Sequence, residues 1–169
     1  MDNVEIKWVT KAQLNESVRI ICESFATLEQ EFDITKENCP THPSFMTRER
    51  LDEMIESGME LYGLFVDSRQ VGTVSIETYK EKYYLGKLAV LPEYRHHGFG
   101  EMLVRFVIEK VRSRNIDRLG LGMIDKHTIL KDWYKRFGFA EVSKRDFDHL
   151  PFTTCFMAMR LVEDENGHS

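Results

Sequence analysis

Residues 84–113, YLGKLAVLPEYRHHGFGEMLVRFVIEKVRS, constrain what this chain can fold into more than any other stretch. Leu85 to Val90 is a short apolar run suited to a buried strand, and Pro92 cannot donate to a ladder, so the strand stops near Leu91. Gly98 and Gly100 bracket Phe99, after which Phe99, Leu103, Phe106, Val107 and Val111 recur at helical spacing. Glu101, Arg105, Glu109 and Arg112 mark the opposite face of that helix. A strand therefore feeds a helix through a glycine-rich corner, and such a corner suits an anion. A helix start leaves unpaired N–H groups and a partial positive charge facing outward, and glycine lets a phosphate approach without a Cβ in the way. Arg95 adds a positive charge beside it. Two familiar phosphate signatures are excluded: Leu103 stands where G-x-G-x-x-G needs its last glycine, and no GK[ST] follows.

The remaining segments read as support for this unit. Residues 4–9 form a first strand, Thr10 caps the helix that follows, and Gln13 completes a capping box. Leu14, Val18, Ile21, Cys22 and Phe25 share one face of that helix, which assigns Cys22 to the core. From 28 to 46 the pattern breaks into a long loop, where Pro40 and Pro43 restrict the backbone around Thr41 and His42 and favour a shaped lid. Thr47 caps a short helix with Leu51, Met54 and Ile55 on its apolar face, and Gly58 ends it. Residues 61–66 and 71–78 form a hairpin across 67–70, and 83–90 pairs next after 80–82. Residues 118–124 are a strand in which Leu119, Leu121 and Met123 alternate with Gly120 and Gly122; the helix before it makes it the parallel neighbour of 83–90 through a right-handed crossover. A helix over 129–137 closed by Gly138, then strands near 139–144 and 152–161, complete one mixed α/β domain over 1–161, with 162–169 as a flexible tail.

Composition narrows the chemistry. A net charge of -5 argues against nucleic acid as a partner and is compatible with a cationic small molecule. Cys22, Cys39 and Cys155 are odd in number and lack a C-x-x-C pair, so neither a disulfide framework nor a zinc site is indicated, and a reducing cytoplasm is the natural setting. MDNVEIKW has no signal-type apolar core and no run reaches spanning length, so no membrane association is expected. The histidines show no metal-binding spacing, so no metal is expected either.

RHHGFG, Arg95 to Gly100, resembles the (Q/R)-x-x-G-x-(G/A) pyrophosphate loop of the GNAT superfamily of acyl-CoA N-acyltransferases. LAVLPEYR before it is similar to that family's strand and exit, and WYKRFGF, Trp133 to Phe139, resembles its LYxxxGF segment. The resemblance implies a mostly antiparallel sheet of six to seven strands, helices on both faces, and a parallel, splayed pair at the centre. It implies acetyl-CoA as cosubstrate, its pantetheine along Leu88, Ala89 and Val90 and its pyrophosphate on Arg95, His96, His97, Gly98, Phe99 and Gly100. The Val90 N–H would face the thioester carbonyl and the Tyr134 hydroxyl the thioester sulfur. His127 stands where many members have an asparagine that bonds the pantetheine.

The general base has no such marker, and Glu77 is the candidate taken forward from a set that includes Asp146, Asp148, His149 and His42. His42 and His149 are the expected acceptor contacts. The activity expected is cytoplasmic acetyl transfer to the primary amine of a small molecule by direct attack in a ternary complex. The alternatives are a protein N-terminal acetyltransferase or a non-catalytic acyl-CoA-binding regulatory domain, and homodimerisation is left open.

Overall fold

A computed structural model describes residues 2–161, and the expected tail at 162–169 lies outside the described residues. Strands β1 (Val4–Trp8), β2 (Glu60–Val66), β3 (Arg69–Tyr79), β4 (Lys82–Val90), β5 (Arg118–Ile124), β6 (Ala140–Asp146) and β7 (Thr153–Arg160) form one sheet, in the order β1-β2-β3-β4-β5-β7-β6. Every neighbouring pair is antiparallel except β4 and β5. Helices α1 (Leu14–Glu31), α2 (Arg48–Glu56), α3 (Phe99–Ser113) and α4 (Thr128–Lys135) cover it. This is the mixed α/β architecture expected from the sequence.

Packing explains the order. α1 and α3 both lie on β3 and β4, and β3 is buried without a break from Gln70 to Ile76, as a strand covered on both faces must be. α3 buries Leu103, Val107 and Val111 of the expected stripe with Val104 and Ile108 beside them, while Phe99 and Phe106 pack at the margin of the core. α1 is turned slightly from its expected orientation: Ile20 and Ile21 are fully buried together with Ser17 and Ser24, while Val18, Cys22 and Phe25 pack at the margin of the core. The expected capping box closes on a short 3-10 turn, Lys11–Gln13, where the Thr10 N–H donates to Gln13 Oε1 at 2.9 Å.

Three connections are tighter than the sequence suggests. Asp67 and Ser68 have φ of 49° and 71°, and Lys80 and Glu81 have 49° and 66°, so both hairpins close through two-residue primed turns and their strands run longer. The loop expected from residue 28 begins only after Glu31, because Leu28 and Phe32 pack into a second apolar cluster with Ile34, Cys39, Ile124 and Phe152. His42 then caps a 3-10 turn, Pro43–Phe45, that leads to α2.

Candidate active site

A cleft opens where β4 leaves β5. The two strands pair only at Tyr83 with Leu119 and Tyr84 with Gly120, whereas β5 stays paired with β7 as far as Ile124. The cause lies in β4. Gly86 and Ala89 face Ser75 and Thr73, so β4 carries one residue more than β3 across this span, a β-bulge. Lys87 within it has a φ of 45°, a conformation that persists only where the surroundings enforce it. Thr73 Oγ1 donates to the Lys87 carbonyl at 2.7 Å, and Lys87 Nζ donates to Glu77 Oε2 at 3.3 Å. Gly86 admits that carboxylate: a Cβ there would stand 1.9 Å from Glu77 Oε2.

Two hollows share the cleft, and Ser24, Leu88, Arg95, His127 and Leu130 line both. The outer one, about 650 Å³, rests on His96, Gly98, Phe99 and Gly100 at the start of α3. Gly98 is the N-cap of that helix with a φ of 81°, and a Cβ there would meet no protein atom within 4 Å. Its open side is thus free for a ligand that seeks the unpaired N–H groups. Arg95, Arg105 and Arg136 line this hollow against Glu101, a cationic surround suited to a polyanion.

The inner hollow, about 530 Å³, passes through the sheet between the parted strands. Strand alternation puts Leu121 and Met123 on one face and Gly122 and Ile124 on the other, the latter sharing register with Phe156 and Thr154 of β7. Tyr134, on α4, lines the passage and is only 6% exposed. Burial alone pushes its hydroxyl pKa well above the ordinary tyrosine value, so the group stays protonated.

The Val90 N–H is not free. Leu91 N–H donates to Val71 on the β3 side, so Val90 N–H points the other way, and Ser24 Oγ accepts it at 3.3 Å. Arg95 also turns to α1, donating to the Ser24 carbonyl at 2.9 Å and to Ser24 Oγ at 3.3 Å, and burial lowers its pKa. Ala89 is 1% exposed and serves the core. His97 stacks on Phe99, with ring centroids 5.8 Å apart, and does not line either hollow. His127 lies where the hollows meet and also caps α4, its Nδ1 accepting from the Leu130 N–H at 3.4 Å. Burial pulls its pKa down against the opposing pull of Glu31.

The expected acceptor residues are separated. His42 lines the inner hollow, 5% exposed, with its pKa pushed down to about 4 by burial. Its Nδ1 faces Ser44 Oγ at 2.7 Å and accepts from the Ser44 N–H at 3.3 Å, so the neutral ring carries its proton on Nε2. His149 is exposed on the β6–β7 hairpin against Phe147, 5.5 Å between centroids, and does not line the cleft. Glu77 is also outside it. Its carboxylate accepts from Ser75 Oγ at 2.6 Å and from Lys87, and it lines a separate groove with Met54 and Met59. It lies over Gly86, which has no Cβ to exclude it. Asp146 is held by the Thr153 hydroxyl and Asp148 is exposed.

Among the described residues, Asp125, Glu141 and Cys155 bring ligand atoms within 4.8 Å of one another. Lys131, 8% exposed, donates to both carboxylates, so the group acts as an ion-pair anchor for α4.

Residues 24–139 match the profile described as the Acetyltransferase (GNAT) family, most of the chain and all of the parted-strand unit. The chain belongs to that family. It is therefore an acetyltransferase, and the glycine-rich corner and the parted strands lie within the matched residues. Among solved structures, the GNAT domain is similar to the PaiA N-acetyltransferase of Thermoplasma acidophilum in complex with coenzyme A, at TM-score 0.77 and 20% identity over 94% of this chain and 99% of that one. It is also similar to the ribosomal-protein-S18-alanine N-acetyltransferase of Escherichia coli, at TM-score 0.76 and 15% identity over 99% and 100% of the two chains. The N-acetylglutamate synthase of Neisseria gonorrhoeae, complexed with coenzyme A and N-acetyl-glutamate, matches at TM-score 0.69 and 22% identity, over 95% of this chain and 36% of that one. No curated protein matches the chain.

Sequence reasoning missed Ser24, Thr73, Lys87 and Thr154. Ser24 left a usable signal: Ser17 and Ser24 stand seven residues apart on the face of α1 that carries Ile20 and Ile21, where hydroxyls need a reason. Lys87 left none, because nothing in its type announces a positive φ.

Proposed function

We propose that this GNAT domain moves an acetyl group from acetyl-CoA to the primary amine of a small molecule, by direct attack in a ternary complex. The observation that carries this reading is the buried, protonated Tyr134 hydroxyl lining a passage that runs from the anion corner between the parted strands. The pyrophosphate would sit at Gly98 to Gly100 and the pantetheine along Leu88 to Val90. The thioester carbonyl would take the Val90 N–H in place of Ser24 Oγ. One such preorganised donor lowers the barrier by about 3 kcal/mol.

The amine nitrogen attacks the thioester carbon, the C–S bond breaks, and the nitrogen loses a proton. A thiolate is a weaker base than a phenolate, and burial raises the Tyr134 pKa further, so the hydroxyl keeps its proton and stabilises the leaving sulfur by donating a hydrogen bond. No carboxylate lines the inner hollow among the described residues, and His42 presents a donor there. The amine therefore enters neutral and releases its proton to solvent, so kcat/KM rises with pH toward the amine's own pKa near 10.

The test is CoA release over a panel of amines with the Tyr134→Phe variant alongside. The expected result is a kcat lowered about 10- to 1,000-fold with acetyl-CoA affinity changed less than about threefold. Unchanged kcat with chemistry rate-limiting would return Tyr134 to a packing role. Tight acetyl-CoA binding with no turnover on any amine would instead favour a non-catalytic domain.

A further inference from the structure

We propose that the acceptor is a monoamine on an apolar, ring-bearing body, and not a polycation. The inference rests on the acetyl-transfer reading above and names the substrate class of that site.

The half of the inner hollow on the α1 side is walled by Phe25, Leu28, His42, Ile124, Phe152 and Thr154. Leu28, Ile124 and Phe152 belong to the second apolar cluster, separate from the main core. The His42 ring meets Phe25 edge to face at 5.9 Å, which extends the aromatic surface. An apolar ring buried here is stabilised in proportion to the area it removes from water.

Charge complements this shape. Among the described residues that line the inner hollow there is no carboxylate, and its cations are Lys87 and Arg95. Lys87 is held by Glu77, and Arg95 by Ser24. A second ammonium on the acceptor would be desolvated beside Arg95 and the Glu77-paired Lys87, with no carboxylate in the lining to pair it, a placement that proteins avoid. Thr154 adds no polar contact to this half, because its hydroxyl is sealed from solvent.

The experiment uses the full chain at saturating acetyl-CoA and measures kcat/KM for 2-phenylethylamine, spermidine and an alanine-initiated tetrapeptide. 2-Phenylethylamine is expected to exceed both of the others by about tenfold or more. A faster reaction on spermidine or the peptide overturns the proposal. Calorimetric titration of 2-phenylethylamine and spermidine into the CoA-bound protein reads the pocket apart from turnover. Arylalkylamine binding without turnover sinks the acetyl-transfer reading and leaves the ligand class standing. Tighter spermidine binding, or no binding of either amine, sinks the class.

Discussion

Burial among Phe25 and Phe45 pushes the His42 imidazole down to about 4, far from the value its residue type suggests. An unfolded histidine takes up a proton below about pH 6.5. The folded ring resists until pH nears 4, so unfolding is coupled to proton uptake between those values and stability falls as pH is lowered through that window. Thermal melts should show Tm declining from about pH 6.5 to 4, with a shallower decline in His42→Phe. His127, whose pKa is also lowered by burial, keeps some slope in that variant. An equal slope in both proteins would mean that His42 is not buried neutral. The same burial separates residues that look equivalent in the sequence. His42 and His149 both sit near prolines in polar stretches, yet one lines the cleft and the other is exposed on a hairpin.

The element that was most legible is the strand, corner and helix from β4 to α3, because each piece has a local cause. Pro92 stops the strand, Gly98 supplies a positive φ, and the apolar stripe of α3 repeats at the helical period. Gly98→Ala tests the corner. An L-residue at that φ costs about 1–2 kcal/mol of stability, and the added methyl displaces no protein atom, since none lies within 4 Å. Loss of acetyl-CoA affinity beyond about tenfold, read by calorimetry, would then report a clash with the ligand itself. Gly58→Ala is the control: its φ of 109° is also positive and its surroundings equally open, but it lies outside the cleft. Equal affinity losses in the two variants would remove the corner as the phosphate site. The bulge in β4 was not legible, because it depends on Thr73 and Glu77, which reach Lys87 from the neighbouring strand.

For the molecule as a whole, the parted strands leave one seam of the sheet without its ladder, and a cosubstrate laid between them would close it. Acetyl-CoA at 100 times its Kd should raise the unfolding free energy by about 2.7 kcal/mol. Hydrogen exchange should slow at the amides of Leu88, Val90 and Met123 while β1 and β2 are unaffected. Protection spread evenly over the sheet, or confined to α3, would mean that the cosubstrate does not lie in the seam. Much of this architecture followed from the sequence alone. Hydrophobic periods of two and 3.6, punctuated by proline and glycine, determined the elements, their type and the parallel crossover, since each depends on residues close together in the chain. RHHGFG and WYKRFGF, through their resemblance to family segments, pointed to the glycine-rich corner and to Tyr134. The tertiary structure decided which chemistry-bearing side chains meet. Ser24, Leu88, His127, Tyr134 and Thr154 come from α1, β4, the turn before α4, α4 and β7, and no spacing relates them. Glu77 was held outside the cleft by Lys87 reaching across the β3–β4 pair, a contact between two strands that no local pattern of residues encodes.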